Sequence, residues 1–118
     1  MNAERFTQKT IETINDAQNL ARDRQNQTLA AEHLLYALLA MDGGLVRTLI
    51  SRIGQKNGNA NIINSMLSET SSAIDKLPQV SGSGANGELY PSSEVSAVLR
   101  FAEKVAAQLG DEYISVEH

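Results

Sequence analysis

The two histidines of this chain, His33 and His118, each follow a glutamate: Glu32-His33 and Glu117-His118. A histidine beside a carboxylate can move protons, activate a serine or hold a metal. Metal binding is the poorest of these fits. The chain has no Cys, and two His alone make a weak zinc set. Packing and capping at a helix start is the better use of both rings. A small hydrolase working through a serine and His33 is a rival reading, because Ser, His and Asp are all present, but no nucleophile-elbow motif supports it. No H-E-x-x-H and no Walker-type loop occur. The Gly82-Ser83-Gly84 run sits in a loop with no strand before it, so a phosphate cradle is not expected there. The residues describe a binding module, without catalytic machinery or a cofactor of its own.

The 118 residues suffice for one domain. Aromatics are only 4% of them and Trp is absent, so the core must be built from Ile, Leu, Val, Ala and Met. The net charge is −4 and unevenly spread: residues 1–59 hold seven Lys/Arg and six Asp/Glu, residues 60–118 three and eight. That argues against nucleic acid as a partner. The N-terminal residues lack a signal-peptide layout. The longest near-apolar run, Leu34 to Met41, is too short to span a bilayer. The expected location is the cytoplasm, with no membrane partner.

Helical periodicity dominates the chain. Thr7 reads as an N-cap, with Phe6 and Ile11 placed for a hydrophobic staple, and a helix over 8–24 follows. A second helix over 31–41 carries Leu34, Leu35, Leu38 and Leu39 on adjoining faces and should be central. A third runs over 45–52, closed by Ile53-Gly54. Residues 55–61 read as a loop, and a fourth helix runs to about Lys76. Residues 81–88 are rich in Gly and Ser and read as a mobile connection. Pro91-Ser92 opens a fifth helix, in which Val95, Val98, Leu99, Ala102, Val105, Ala106 and Leu109 form the clearest amphipathic pattern in the sequence.

Shifted by 85 residues, the chain meets itself. Thr7 falls on Ser92, Ile14 on Leu99, Ala17 on Ala102, Ala21 on Ala106, Asn26 on Asp111, Leu29 on Ile114, and Glu32-His33 on Glu117-His118. Both copies read as N-cap, long helix, polar turn, apolar residue, Glu-His. Two copies of one motif pack as a pseudo-twofold pair, each burying the apolar face that the other cannot. The expected fold is all-α, one domain over 1–118. Repeat one covers about 7–76, a linker about 77–90, and a truncated repeat two about 91–118, with no counterpart of Leu34 to Ile53. The expectation is a chain that stops partway through a natural domain.

These motifs resemble the Clp N-terminal domain, the double Clp repeat at the front of AAA+ unfoldases. The resemblance is carried by Phe6-Thr7, by Glu32-His33-Leu34-Leu35 with Ala37-Leu38-Leu39, by the Gly43-Gly44 turn, and by Gly110-Asp111 with Ile114-Ser115-Val116-Glu117. The linker Lys76-Leu77-Pro78-Gln79-Val80-Ser81-Gly82 resembles that of the ClpB disaggregases. The resemblance implies a mobile domain that binds unfolded or aggregated polypeptide and passes it to the pore of an ATP-driven hexamer. ATP and Mg²⁺ would belong to AAA+ domains outside this chain, as would hexamer formation, and an Hsp70-type chaperone would be a partner of the full-length protein. It also implies substrate-handling roles for Thr7, Asp111 and Glu117, and for Phe101 and Val105 in an apolar groove. Tyr113 is a possible neighbour by our own reading. Docking of an adaptor for a protease-coupled Clp unfoldase is the alternative. The sequence departs from the family where His118 stands in place of an apolar residue.

Overall fold

Thr7 and Ser92 open the two longest helices in the same way. The computed structural model of the chain describes residues 3–80 and 89–118. In it, α1 (Gln8–Asp23) follows Thr7, whose Oγ1 accepts the Thr10 N–H at 3.3 Å. Helix α5 (Ser93–Gln108) follows Ser92, whose Oγ accepts the Val95 N–H at 3.1 Å. Each cap satisfies one amide that the helix leaves without an internal acceptor. The two helices also end alike. Gln25 and Gly110 take positive φ, 59° and 75°. The following amides, of Asn26 and Asp111, bond back to Ala21 O and Ala106 O, both at 2.8 Å.

Between them lie α2 (Ala31–Ala40), α3 (Leu45–Lys56) and α4 (Ile62–Asp75). Helix α2 is central, packed on α1 and α4 and touching α3 and α5. Its Leu34 and Leu39 are buried, while Leu35 and Leu38 are half-buried. The α1–α4 side is fastened by Arg24, which pairs with Asp75 and donates to Ser71 Oγ at 3.3 Å. The start of the 77–90 linker lies along repeat one: the Val80 N–H reaches Gln25 O at 2.8 Å, and Asn26 Nδ2 donates to Pro78 O at 3.1 Å.

Two short parallel strand contacts join the repeats. Strand β1 (Thr28–Leu29) pairs with β2 (Tyr90–Pro91), Leu29 opposite Pro91, and Phe6 bridges Ile114. The N-cap residue of each repeat donates its amide to the other repeat, Ser92 N–H to Leu29 O at 2.9 Å and Thr7 N–H to Ile114 O at 3.0 Å. Because Thr7 corresponds to Ser92 and Leu29 to Ile114, these two bonds are one bond repeated by a pseudo-twofold axis. The core follows the same symmetry. One buried cluster holds Ala17, Ala21, Leu29, Leu34, Ala37 and Val95. The other holds Ala102, Ala106 and Ile114, with Phe6 packed against it. The alanines let the helices approach closely in a chain almost free of aromatics.

The expected helices are present, with one boundary moved. Helix α3 runs through Ile53-Gly54 to Lys56. Gly54 does not end it. Gly54 is buried, and a Cβ there would collide with the Asn59 carbonyl oxygen and the Ile62 side chain. The left-handed position past the helix falls at Gly58, φ 75°. The loop expected over 55–61 is therefore shorter. The Gly- and Ser-rich stretch expected to be mobile, 81–88, lies outside the described residues. No single described helix is long and apolar enough to cross a membrane.

Candidate functional site

The Glu-His motif is structural in both repeats. His33 is fully buried. Its Nδ1 accepts the Ala30 N–H at 2.9 Å, and its Nε2 meets Asn26 Oδ1 at 2.9 Å. His118 repeats this geometry. Its side chain is 1% exposed, Nδ1 accepts the Ser115 N–H at 2.8 Å, and Nε2 meets Asp111 Oδ2 at 2.8 Å. With Nδ1 accepting an amide proton, the Nε2–H tautomer is the one that satisfies both contacts. Each ring thus ties the start of one element to the turn after the long helix. Burial pushes the His33 pKa below its ordinary value, and the Arg24 charge adds in the same direction against the opposing pull of Glu32.

This disposes of the hydrolase reading. Asp111, His118 and Ser115 have the composition of a catalytic triad but not its geometry, since Ser115 offers its backbone amide and not its hydroxyl. His33 has neither ring nitrogen free and no solvent access.

Thr7 and Glu117, far apart in sequence, line one depression of about 290 Å³. The N-cap of α1, the Met41–Leu45 turn between α2 and α3, and the 115–117 segment form its walls, with Lys9 and Asp42 at its charged rim. The Thr7 hydroxyl is already engaged, with Thr10 N and, at 2.9 Å, with Thr10 Oγ1. Glu117 is exposed.

Ser115, Val116 and Glu117 also line a second depression, an apolar groove of about 310 Å³. Its long wall is α5, through Val98, Leu99 and Ala102. Facing it are Thr10, Thr13 and Ile14 of α1, with Leu34 and Leu38 of α2 and Val46 of α3. Phe101 and Val105, which the resemblance implies for client contact, are not among the residues that line this groove. Phe101 is 63% exposed and Val105 half-buried. They stand on the adjoining face, where Val98, Phe101 and Leu109 form an exposed stripe along α5. Asp111 lies outside both depressions, its carboxylate bonded to His118, and Tyr113 is exposed beside it in sequence. The signal for Val98 and Leu99 was present in the amphipathic pattern of α5. What the pattern does not say is which part of an apolar stripe a neighbour covers.

Comparison with known proteins agrees with this architecture. Residues 5–118 match the Clp repeat (R) N-terminal domain family. The whole chain is 39% identical over 119 residues to the chaperone protein ClpB of Nitratidesulfovibrio vulgaris. It is 35% identical over 117 residues, 99% of the chain, to the ClpB of Brucella suis. It spans only 13% and 12% of the length of those relatives. Among solved structures, the Hsp104 N-terminal domain from Candida albicans superposes with a TM-score of 0.70 at 24% identity, over 93% of this chain and 67% of that one. The N-terminal domain of the ClpV1 ATPase from E. coli gives 0.76 at 20% identity, over 94% and 62%. At these identities the two structures establish the fold.

Proposed function

The chain belongs to the Clp repeat N-terminal domain family, and from that premise we propose that it captures extended stretches of unfolded or aggregated protein for a ClpB-type AAA+ disaggregase. The observation that carries this reading is the pair of depressions, one holding Thr7 and the other apolar, that share Ser115–Val116–Glu117 as a wall, beside the exposed Val98–Phe101–Leu109 stripe. An extended chain can lay alternate apolar side chains against such a surface without any fixed sequence. Burial contributes about 25 cal/mol per Å², and ordering a floppy ligand offsets much of it. The affinity is then on the order of micromolar or weaker, which suits a domain that must release its client. The acidic Glu117 and Asp111 favour basic flanks on the client.

On this reading the client passes to the pore of a hexamer built by AAA+ domains of the same protein. Those domains hold ATP and Mg²⁺, and an Hsp70-type chaperone cooperates with the full-length protein in the cytoplasm.

The test is a titration of the isotopically labelled chain, followed by NMR, with a permanently unfolded polypeptide and separately with a folded protein. Shifts gathered at Thr7, Phe101, Val105, Asp111 and Glu117 with the unfolded ligand alone are expected. The same residues responding only to a folded adaptor would replace client capture by adaptor docking, the arrangement of protease-coupled Clp unfoldases.

A further inference from the structure

Helix α3 is the basic element of an acidic chain. It holds Arg47, Arg52 and Lys56 and no acidic residue, while the net charge of the whole is −4. Thr48, Ser51 and Gln55 recur at three- and four-residue steps, so they share one face of the helix. Arg47 precedes Ser51 by four residues and Arg52 follows Thr48 by four, so the two guanidinium groups flank that face. These five residues, with Gly43 of the turn between α2 and α3, line a depression of about 370 Å³. No carboxylate is among its lining residues. Among the described residues, neither arginine side chain has an ion-pair partner. Arg47 makes one long contact, Nη1 to Leu39 O at 3.5 Å. The Thr48 hydroxyl donates to Gly44 O at 3.0 Å. The donors left for a ligand are the two guanidinium forks, the Ser51 hydroxyl and the Gln55 amide.

Two features say which anion fits. The first is an exposed apolar stripe on the same helix, Leu45, Leu49 and Ile53. Arg52 follows Leu49 by three residues and Thr48 by four, so it stands on the border between stripe and depression. A free inorganic anion gains nothing from the stripe, whereas a polypeptide does. The second is spacing. Each guanidinium fork matches one carboxylate bidentately. Arg47 and Arg52 are offset by about 7.5 Å along the helix axis, and alternate side chains of an extended chain are about 6.7 Å apart. We infer that α3 binds an extended acidic segment of a partner polypeptide. Two carboxylates, on alternate residues of that segment, engage Arg47 and Arg52, and an apolar residue beyond the Arg52 contact lies on Leu49 and Ile53. This goes beyond client capture. Its charge preference is the opposite of the one that Glu117 and Asp111 set for clients, so the two sites select different segments.

The probe is the peptide Gly-Glu-Ser-Glu-Ser-Leu-Gly with blocked ends, titrated into the isotopically labelled chain and followed by NMR. Shifts are expected at Thr48, Leu49, Ser51, Arg52 and Gln55. The same peptide with both Glu replaced by Gln should leave these resonances in place. Arg52→Glu and Gln55→Glu, both at exposed positions, should keep the parent's Tm and weaken the peptide by about tenfold or more, the worth of one charge-assisted hydrogen bond. Arg52→Lys, which keeps the charge without the fork, should bind in between. Equal shifts with the Gln peptide would overturn the proposal. So would equal shifts of these residues with sodium phosphate alone, since the ligand would then be a free anion. A concentration-dependent dimer of the parent that moves the same resonances would also overturn it, since the acidic segment would then be the chain's own. Arg52→Glu should respond to the unfolded client as the parent does at Thr7, Phe101 and Glu117, so either site can fail while the other stands.

Discussion

His118 Nε2 and Asp111 Oδ2, 2.8 Å apart, reproduce one repeat later the 2.9 Å contact of His33 Nε2 with Asn26 Oδ1. A carboxylate in one copy does the work of an amide oxygen in the other. Asp111 is therefore first a turn-fastening residue, whatever it adds to client binding. Asp111→Asn, which installs the residue of the first repeat, should keep stability within about 0.5 kcal/mol. Asp111→Ala, which leaves a buried N–H without its acceptor, should cost about 1 kcal/mol. Urea unfolding of the three proteins checks this. If Asn and Ala cost the same, the bond to His118 carries nothing.

The His33 ring makes acid a destabilising condition. Its folded pKa lies below the ordinary 6.5 because burial disfavours the charged form. Above 6.5 both folded and unfolded chains carry the neutral ring, and its contribution is fully present. Below 6.5 the unfolded chain takes up a proton that the folded chain refuses, so stability falls with falling pH until the folded pKa is reached. An NMR titration of the His33 ring should give a midpoint below 6.5, and the urea midpoint should drop between pH 7.5 and 5.5. A midpoint above 6.5 would reverse the sign and contradict the burial argument.

Thr7 joins a structural duty to a proposed functional one, and the two can be separated. Thr7→Ala removes the N-cap and should cost about 1 kcal/mol, as should Ser92→Ala at the equivalent cap. Thr7→Ser keeps the capping oxygen and should restore most of that stability. If Thr7 also touches clients through its methyl group, Thr7→Ser should still bind the unfolded polypeptide more weakly than the parent. Equal binding by parent and Thr7→Ser would confine the methyl to the cap.

Gly54 predicts the sharpest single loss. Ala at this position has no open space to enter, because its Cβ meets backbone oxygen at Asn59 and the branched side chain of Ile62. Gly54→Ala should cost upward of about 2 kcal/mol, despite the higher helix propensity of Ala. By contrast, Phe101→Ala should change stability by no more than about 0.5 kcal/mol, since the ring is largely in water, and should weaken client binding. Thermal melts of both variants, with the client titration for the second, decide each.

The helices, the repeat and the family were legible because they are carried by local patterns: apolar periodicity, N-caps at Thr7 and Ser92, and Glu-His at an 85-residue offset. The end of α3 was not. A glycine after an apolar stripe reads as a stop, and only the packing of the 57–62 segment against Gly54 shows that it serves close approach instead. That Thr7 and Glu117 line one depression is a tertiary fact that their positions in the sequence do not give. Phe101 and Val105, to which the resemblance points, lie outside the lining of the groove that Val98 and Leu99 share, and periodicity alone does not say which part of a seven-residue apolar stripe a neighbour covers.

The crossed amide bonds, Thr7 N–H to Ile114 O and Ser92 N–H to Leu29 O, bear on how the chain is made. A ribosome releases α1 long before Ile114, so the first helix must wait, its entry strand unpaired, for the last turn of the second repeat. Closing that distance costs loop entropy before any contact rewards it.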